Sequence, residues 1–304
     1  YLTGTTDFTA GGILADAVSV TTAGILLFLF AFGIGKAALM PVHPWLPNAM
    51  VAPTPVSALL HAVAVVKAGV FTMLKVSVYT FGPEFMRVLP AADVLAWIAG
   101  ISIVVASIIA MTKDNLKARL AYSTVSQLSY ITLGAMLATP IALMGAAIQI
   151  VMHAFGKITL FMTAGAIYTG TKKSEISSLD GLARFMPLTF IAFTIGALSI
   201  VGVPPFGGVW VKLFLMDGAA EAGQPWLIAL LIASTLLNIG YLLPVAFRAF
   251  FKPAPETSPM KPGLPPALAV AAPVITACGV IVLFFAIGPL VDYLEPVFTT
   301  EMLP

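Results

Sequence analysis

Residues 141–170 read IALMGAAIQIVMHAFGKITLFMTAGAIYTG, thirty residues with one lysine and no carboxylate. About 20 apolar residues in a helix cross a bilayer core of ~30 Å, so this run is long enough to span. Inside it His153 and Lys157 stand four apart and therefore share a helix face. Gln149 extends that face by one turn, and the three cover about 12 Å along the axis. An ionisable pair in the middle of apolar sequence is expensive in lipid, so it faces a bundle interior or water by default.

The rest of the chain has the same character. Its 304 residues are 60% hydrophobic and 9% charged, against about 25% charged in soluble domains. The composition points to lipid as the solvent. Cys278 is the single cysteine, which excludes an internal disulfide framework. The net charge of +2 gives no footprint for nucleic acid. No Gly-rich phosphate loop or Cys/His metal spacing appears. No metal, cofactor or catalytic residue is assigned. The chain starts at Tyr1 without a signal-peptide pattern, and is read as the C-terminal part of a longer protein.

Eight spans are predicted, at 22–50, 54–80, 92–111, 117–138, 141–169, 188–217, 226–250 and 266–290, forming an all-α polytopic membrane bundle and a single transmembrane domain over 1–304. Two spans contain breakers. The first carries LMPVHPWLPNAM with Pro41, Pro44 and Pro47, and the sixth carries GVPPFGG with Pro204, Pro205, Gly207 and Gly208. Proline removes a backbone donor and clashes with the preceding turn. Broken backbone at membrane depth is tolerated where it is buried in protein or lines a watery cavity. Two such breaks, each near a lysine, point to a transport path.

Lys113, Lys117, Arg119, Lys172, Lys173, Arg184, Arg248, Lys252 and Lys261 fall on one side of the predicted spans, and only Arg87 on the other. The positive-inside rule makes the first side cytoplasmic and turns both ends of the chain outward, in the cytoplasmic (inner) membrane. Acidic residues lean the other way, as with Asp7, Asp16, Glu84, Asp93, Glu221, Asp292, Glu295 and Glu301. The five remaining basic residues, Lys36, Lys67, Lys75, Lys157 and Lys212, lie inside spans. Lys75, near an outer end, reads as snorkelling. Lys36, Lys67 and Lys157 are central. Lys212 follows the PPFGG break. His61 stands six residues before Lys67. With His153 and Lys157 these groups form a candidate proton relay. The stretch LAYSTVSQLSY (120–130) adds hydroxyls and an amide that either hold a water chain or join helices. No Asp or Glu falls deep in a span, so a carboxylate partner for these lysines is expected from outside this chain.

The stretches GIGKAALMPVHPWLPNAMVAPTPVSALLHAVAVVKAGVF (33–71), KDNLKARLAYSTVSQLSY (113–130), HAFGK (153–157) and GVPPFGGVWVK (202–212) together resemble the antiporter-like membrane subunits shared by respiratory complex I, Mrp-type cation/proton antiporters and membrane-bound hydrogenases. The resemblance covers about residues 20–250 and is nearest to the D-type subunits of the Mrp antiporters. It implies a 14-helix bundle with two inverted repeats, of which this chain would supply about the last eight helices. It also implies roles: Lys36 and Lys212 as the lysines of the two broken helices, His61 and Lys67 as polar positions of the helix after the first break, Lys117 as the basic residue opening the AYST helix, and His153 with Lys157 as the central pair. The family's glutamate partner for Lys36 would lie on an earlier helix. Many members carry a histidine where this chain has Gln149.

The function expected is proton translocation in a multisubunit monovalent cation/proton antiporter, with H⁺, Na⁺ or K⁺, other membrane subunits and the bilayer as partners. The alternative is a proton-pumping subunit of an NADH-quinone oxidoreductase or hydrogenase, without redox chemistry of its own. The path expected enters near Lys117, runs along Lys36, Lys67, His61, His153 and Lys157, and leaves past Lys212. Rivals from other classes are a haem-binding electron carrier with His61 and His153 as axial ligands, a carrier of small organic anions, and a purely structural subunit.

Overall fold

The computed structural model describes residues 3–9, 11–15, 17–253 and 265–298. Lys261, Asp16 and Glu301, used above for orientation, lie outside them. Among the described residues the regular structure is helical, apart from one isolated bridge between Asn115 and Glu175. The thirteen helices in chain order are α1 (Val20–Gly33), α2 (Trp45–Asn48), α3 (Thr54–Ala62), α4 (Val65–Lys75), α5 (Pro83–Arg87), α6 (Pro90–Thr112), α7 (Leu116–Leu137), α8 (Pro140–Thr171), α9 (Pro187–Val201), α10 (Gly208–Glu221), α11 (Pro225–Phe251), α12 (Ala267–Phe285) and α13 (Ile287–Phe298).

The helix boundaries follow local chemistry. Proline occupies the first turn of α6, α8, α9 and α11, where its missing N–H has no intrahelical partner to lose. Asn115 and Thr139 accept from the backbone N–H groups of Ala118 and Ala142 and so cap α7 and α8. Gly202 closes α9 in the left-handed conformation (φ 82°), which glycine adopts without a Cβ clash.

Both predicted breaks are present. Residues 22–50 become α1, a 3-10 turn at Gly35–Ala37, a non-helical stretch through Pro41 and Pro44, and short α2. Residues 188–217 become α9, a turn through Pro204 and Pro205, and α10. Span 54–80 has a third interruption that no proline announces. It divides at Val63–Ala64 into α3 and α4, then ends in a π-helical turn at Val76–Phe81. Beyond this interruption α4 lies so close to the first break that a Cβ on Gly69 would come within 2.4 Å of Ala37 N and Lys36 C.

Five helical segments, Thr54–Phe81, Pro90–Thr112, Pro140–Thr171, Pro225–Phe251 and Ala267–Phe285, are long and apolar enough to cross a membrane by length and composition. The two broken spans and hydroxyl-rich α7 bring the bundle to the eight expected. The last span ends earlier than predicted, at Phe285, and α13 follows it. Its apolar Leu290, Val291 and Leu294 pack on the main core.

α8 is the axis of the molecule. It packs against α3, α4, α7, α9, α10, α12 and α13. Lipid-type residues cover the periphery, as with Ile25, Leu29, Phe71, Ile101, Leu236 and Phe285, all exposed. The basic loops meet at one end. Leu116 N donates to Ser174 O and Ile176 N to Asp114 O, each at 2.9 Å. Arg248 bonds Asp180 and the Ser177 carbonyl there. Arg119 departs from the loop role assigned above. It is buried and spends its guanidinium on the carbonyls of Lys113, Met111 and Tyr241.

Candidate functional site

Lys67, Gln149, His153, Lys157 and Lys212 are all buried, and no carboxylate is buried among the described residues. α4 and α8 bring Lys67 Nζ to 2.8 Å from His153 Nδ1. This joins a residue of the helix after the first break to one on the central helix. When Lys67 is an ammonium it can only donate, so His153 Nδ1 must accept and the imidazole is neutral. When Lys67 is an amine the contact can run either way. One proton thus has two seats across a single contact.

One turn along α8, Lys157 Nζ donates to Ser123 Oγ at 2.6 Å and to Leu120 O at 3.2 Å, both on α7. One turn in the other direction, Gln149 Nε2 donates to Gln127 Oε1 at 2.8 Å. The predicted stripe is therefore real, and α7 satisfies both of its ends. The AYSTVSQ face does the helix-joining work: Ser126 meets Ser107 at 3.0 Å, Ser123 meets Tyr241 at 2.8 Å and Tyr130 donates to Ser234 at 2.8 Å.

His153 Nε2 is buried without a protein partner and lines a small cavity with Gln127, Tyr130, Gln149, Ser199 and Lys212. The cavity measures about 10 Å³, roughly what one water needs, and its lining supplies the polar partners a buried water requires. Lys212 stands at its far side. Lys212 Nζ donates to the Val201 carbonyl exposed by the second break and, at 2.7 Å, to Thr235 Oγ1.

Three predicted residues stand apart. His61 is buried against Phe161 with ring centroids 4.9 Å apart, and neither ring nitrogen has a protein partner. It does not bridge Lys67 and His153, which touch directly. Lys36 is exposed on the 3-10 turn of the first break and makes no hydrogen bond among the described residues. Lys117 is half-buried and reaches from the start of α7 to Ala52 O at 2.7 Å, tying the AYST helix to the segment after the first break. Lys75 does not reach a carboxylate; its ammonium lies over the Phe8 ring at 3.6 Å. The haem arrangement does not fit, because the cavity that His153 lines has room for about one water and not for a macrocycle.

The span 226–250 was expected, but not the polar face that α11 carries. Its stretch STLLNIGY places Ser234, Thr235, Asn238 and Tyr241 on one face, three of them buried, and this face meets both Lys157's partner Ser123 and Lys212. Their i, i+1, i+4, i+7 spacing was the signal available.

The family described as NADH:quinone oxidoreductase/Mrp antiporter, TM, matches residues 1–252. NADH-quinone oxidoreductase subunit N of Desulforudis audaxviator (strain MP104C) is 37% identical over 245 residues, covering 78% of this chain and 48% of that protein. The chloroplastic NAD(P)H-quinone oxidoreductase subunit 5 of Zygnema circumcarinatum is 37% identical over 207 residues, covering 65% of this chain and 28% of that one. The chain thus spans about half the length of the relatives it matches, or less. Among solved structures, the Mrp complex from Dietzia sp. DQ12-45-1b superposes with a TM-score of 0.80 at 24% identity, over 95% of this chain and 60% of the matched chain. The archaeal membrane-bound sulfane sulfur reductase gives 0.79 at 26% identity, over 94% and 58%.

Proposed function

The chain belongs to the NADH:quinone oxidoreductase/Mrp antiporter transmembrane family, and from that premise we propose that it forms a proton-conducting part of a membrane subunit in a multisubunit complex. The observation that carries this reading is the buried 2.8 Å contact between Lys67 Nζ and His153 Nδ1, on whose far side His153 Nε2 faces a polar cavity shared with Lys212. A proton held at Lys67 passes to His153 Nδ1, the imidazole releases its other proton at Nε2, and a water in the cavity carries it toward Lys212. Lys157, one turn away on α8, adds a second ammonium whose charge biases the first through the low-dielectric interior. Moving one charge across the membrane is worth ~2.3 kcal/mol per 100 mV, the energy such a relay must exchange with its partner process.

The partner process in this reading is counter-movement of Na⁺ or K⁺, as in a cation/proton antiporter, following the motif resemblance to the D-type Mrp subunits. The named sequence relatives favour a second reading, in which the driving step is quinone chemistry in another subunit. Lys36 and Lys117 guard the entry side in both, with the basic loops cytoplasmic and both ends of the chain outward. Gln149 and His61 line the route without bridging it.

The test uses the full-length subunit in its assembled complex, reconstituted in vesicles with a pH-sensitive dye. Lys67→Ala lowers coupled proton movement by ~10²-fold, the scale of losing a proton-transfer group, with assembly intact. Full coupling in that variant refutes the relay. Proton flux driven by an imposed Na⁺ or K⁺ gradient supports the antiporter, whereas flux only during NADH–quinone turnover supports the second reading.

A further inference from the structure

We propose that the polar face of α11 is a proton barrier: it meets Lys157 through Ser123 at one end and Lys212 directly at the other, yet its hydrogen bonds are ordered so that no proton crosses between them. The proposal rests on the relay reading above and adds to it the route that protons are denied.

The ordering follows from donor and acceptor capacity. Asn238 Nδ2 lies 3.4 Å from Ile200 O, a carbonyl that can only accept. This fixes the amide so that its oxygen faces Tyr241, whose hydroxyl donates to Asn238 Oδ1 at 2.6 Å. With its proton committed there, Tyr241 Oη must accept from Ser123 Oγ, 2.8 Å away. Ser123 Oγ in turn accepts from Lys157 Nζ at 2.6 Å. Every hydrogen bond in the series Lys157–Ser123–Tyr241–Asn238 points away from the lysine, and the series stops at an amide oxygen. That oxygen accepts a hydrogen bond but has no proton of its own to hand on.

The other end is built the same way. Lys212 Nζ donates to Thr235 Oγ1, and Thr235 Oγ1 donates back to Leu231 O at 3.0 Å within its own helix. A backbone carbonyl is again the terminus. Tyr130, which lines the cavity, also aims its hydroxyl into α11, donating to Ser234 Oγ. Thr235 and Tyr241 thus take hydrogen bonds from the relay side, and they pass them on only to the Leu231 carbonyl and to the amide oxygen of Asn238.

Proximity makes the barrier necessary. Asn238 and Lys212 are held at consecutive carbonyls, Ile200 and Val201, where α9 ends at the second break. Thr235, Asn238 and Tyr241 are spaced by three residues and share one face. A hydroxyl in place of the amide would complete a short wire from Lys157 to the Lys212 side, bypassing His153 and the cavity. Asn238 is the point at which that wire is cut, and Tyr241 is a positioning residue that keeps the lone pair of Ser123 turned toward Lys157.

The experiment compares Asn238→Asp, Asn238→Ser and the double variant Asn238→Asp with Tyr241→Phe, each in the full-length subunit within its assembled complex. The readout is passive collapse of an imposed pH gradient, with no cation gradient and no electron donor. Asp and Ser both accept and donate protons, so each raises the leak several-fold over the unsubstituted complex. Removing the Tyr241 hydroxyl in the double variant restores a tight complex, an outcome that a merely loosened helix would not give. Should the Asp variant not assemble, the neutral, smaller Ser variant decides alone. Gradient collapse at the unsubstituted rate in the assembled Ser or Asp variant overturns the barrier, as does a leak that persists in the double variant. Failure of the relay itself is distinguishable, because it appears as full coupling in Lys67→Ala whatever α11 does.

Discussion

The two helix breaks make an instructive pair. Each is a proline-interrupted span with a lysine close by, and at each a glycine lets backbone approach backbone, Gly69 of α4 at the first and Gly208 at the second. In the second break the lysine is finished: Lys212 is buried and gives its protons to Val201 O and Thr235 Oγ1. In the first break Lys36 is exposed, on a 3-10 turn, and nothing among the described residues receives its hydrogen bonds. Similar sequence grammar has produced one lysine held inside the fold and one exposed at its surface. The lesson is that a broken helix supplies free backbone carbonyls, but the tertiary neighbours decide whether an ammonium reaches them.

The largest expected effect separates the two lysines. Lys36→Ala and Lys212→Ala each lower coupled proton movement by ~10²-fold. Only Lys212→Ala also lowers the thermal midpoint of the purified complex, because it leaves the Val201 carbonyl buried without its donor, at a cost of ~1–3 kcal/mol. An unchanged midpoint for Lys212→Ala, or a lowered one for Lys36→Ala, breaks the comparison. Next come the packing glycines. A Cβ on Gly208 would lie 1.8 Å from Ser199 O, and one on Gly69 would lie 2.4 Å from the first break's backbone. Gly208→Ala and Gly69→Ala each destabilise the subunit by ~1–3 kcal/mol, as overpacking does, read from the same thermal midpoint. The smallest effect belongs to Gly35. It lies on the turn beside Lys36, has open space around a built Cβ and needs no positive φ. Gly35→Ala changes stability by no more than ~0.5 kcal/mol, and a larger change would mean that this turn is packed after all.

Much of this was legible beforehand, and the reasons differ by element. The long apolar spans follow from length and composition, because lipid leaves the backbone no other partner than its own helix. Both proline breaks were visible for the same reason in reverse. The interruption at Val63–Ala64 was not, since it carries no breaker residue. Within the site, the shared face of Gln149, His153 and Lys157 followed from helical periodicity. The partners of that face did not. Lys67 and His153 are 86 residues apart, and a four-residue spacing rule says nothing about which helices adjoin. Arg119 misled for a related reason: charge suggested a loop, but three carbonyls reachable only in the folded bundle make burial tolerable.

The sequence by itself determined that this protein is a polytopic helical bundle, that two of its spans are broken at prolines, and that protonatable groups lie within apolar spans, because these depend on local terms: hydropathy and proline geometry. The tertiary structure alone decided that Lys67 meets His153, that His61 stands aside, that Lys36 lies exposed, and that α11 receives a hydrogen bond from Lys212 and meets Lys157 only through Ser123. Those outcomes depend on which side chains share a hydrogen-bond distance of about 3 Å, a quantity fixed by helix packing and invisible to any local pattern.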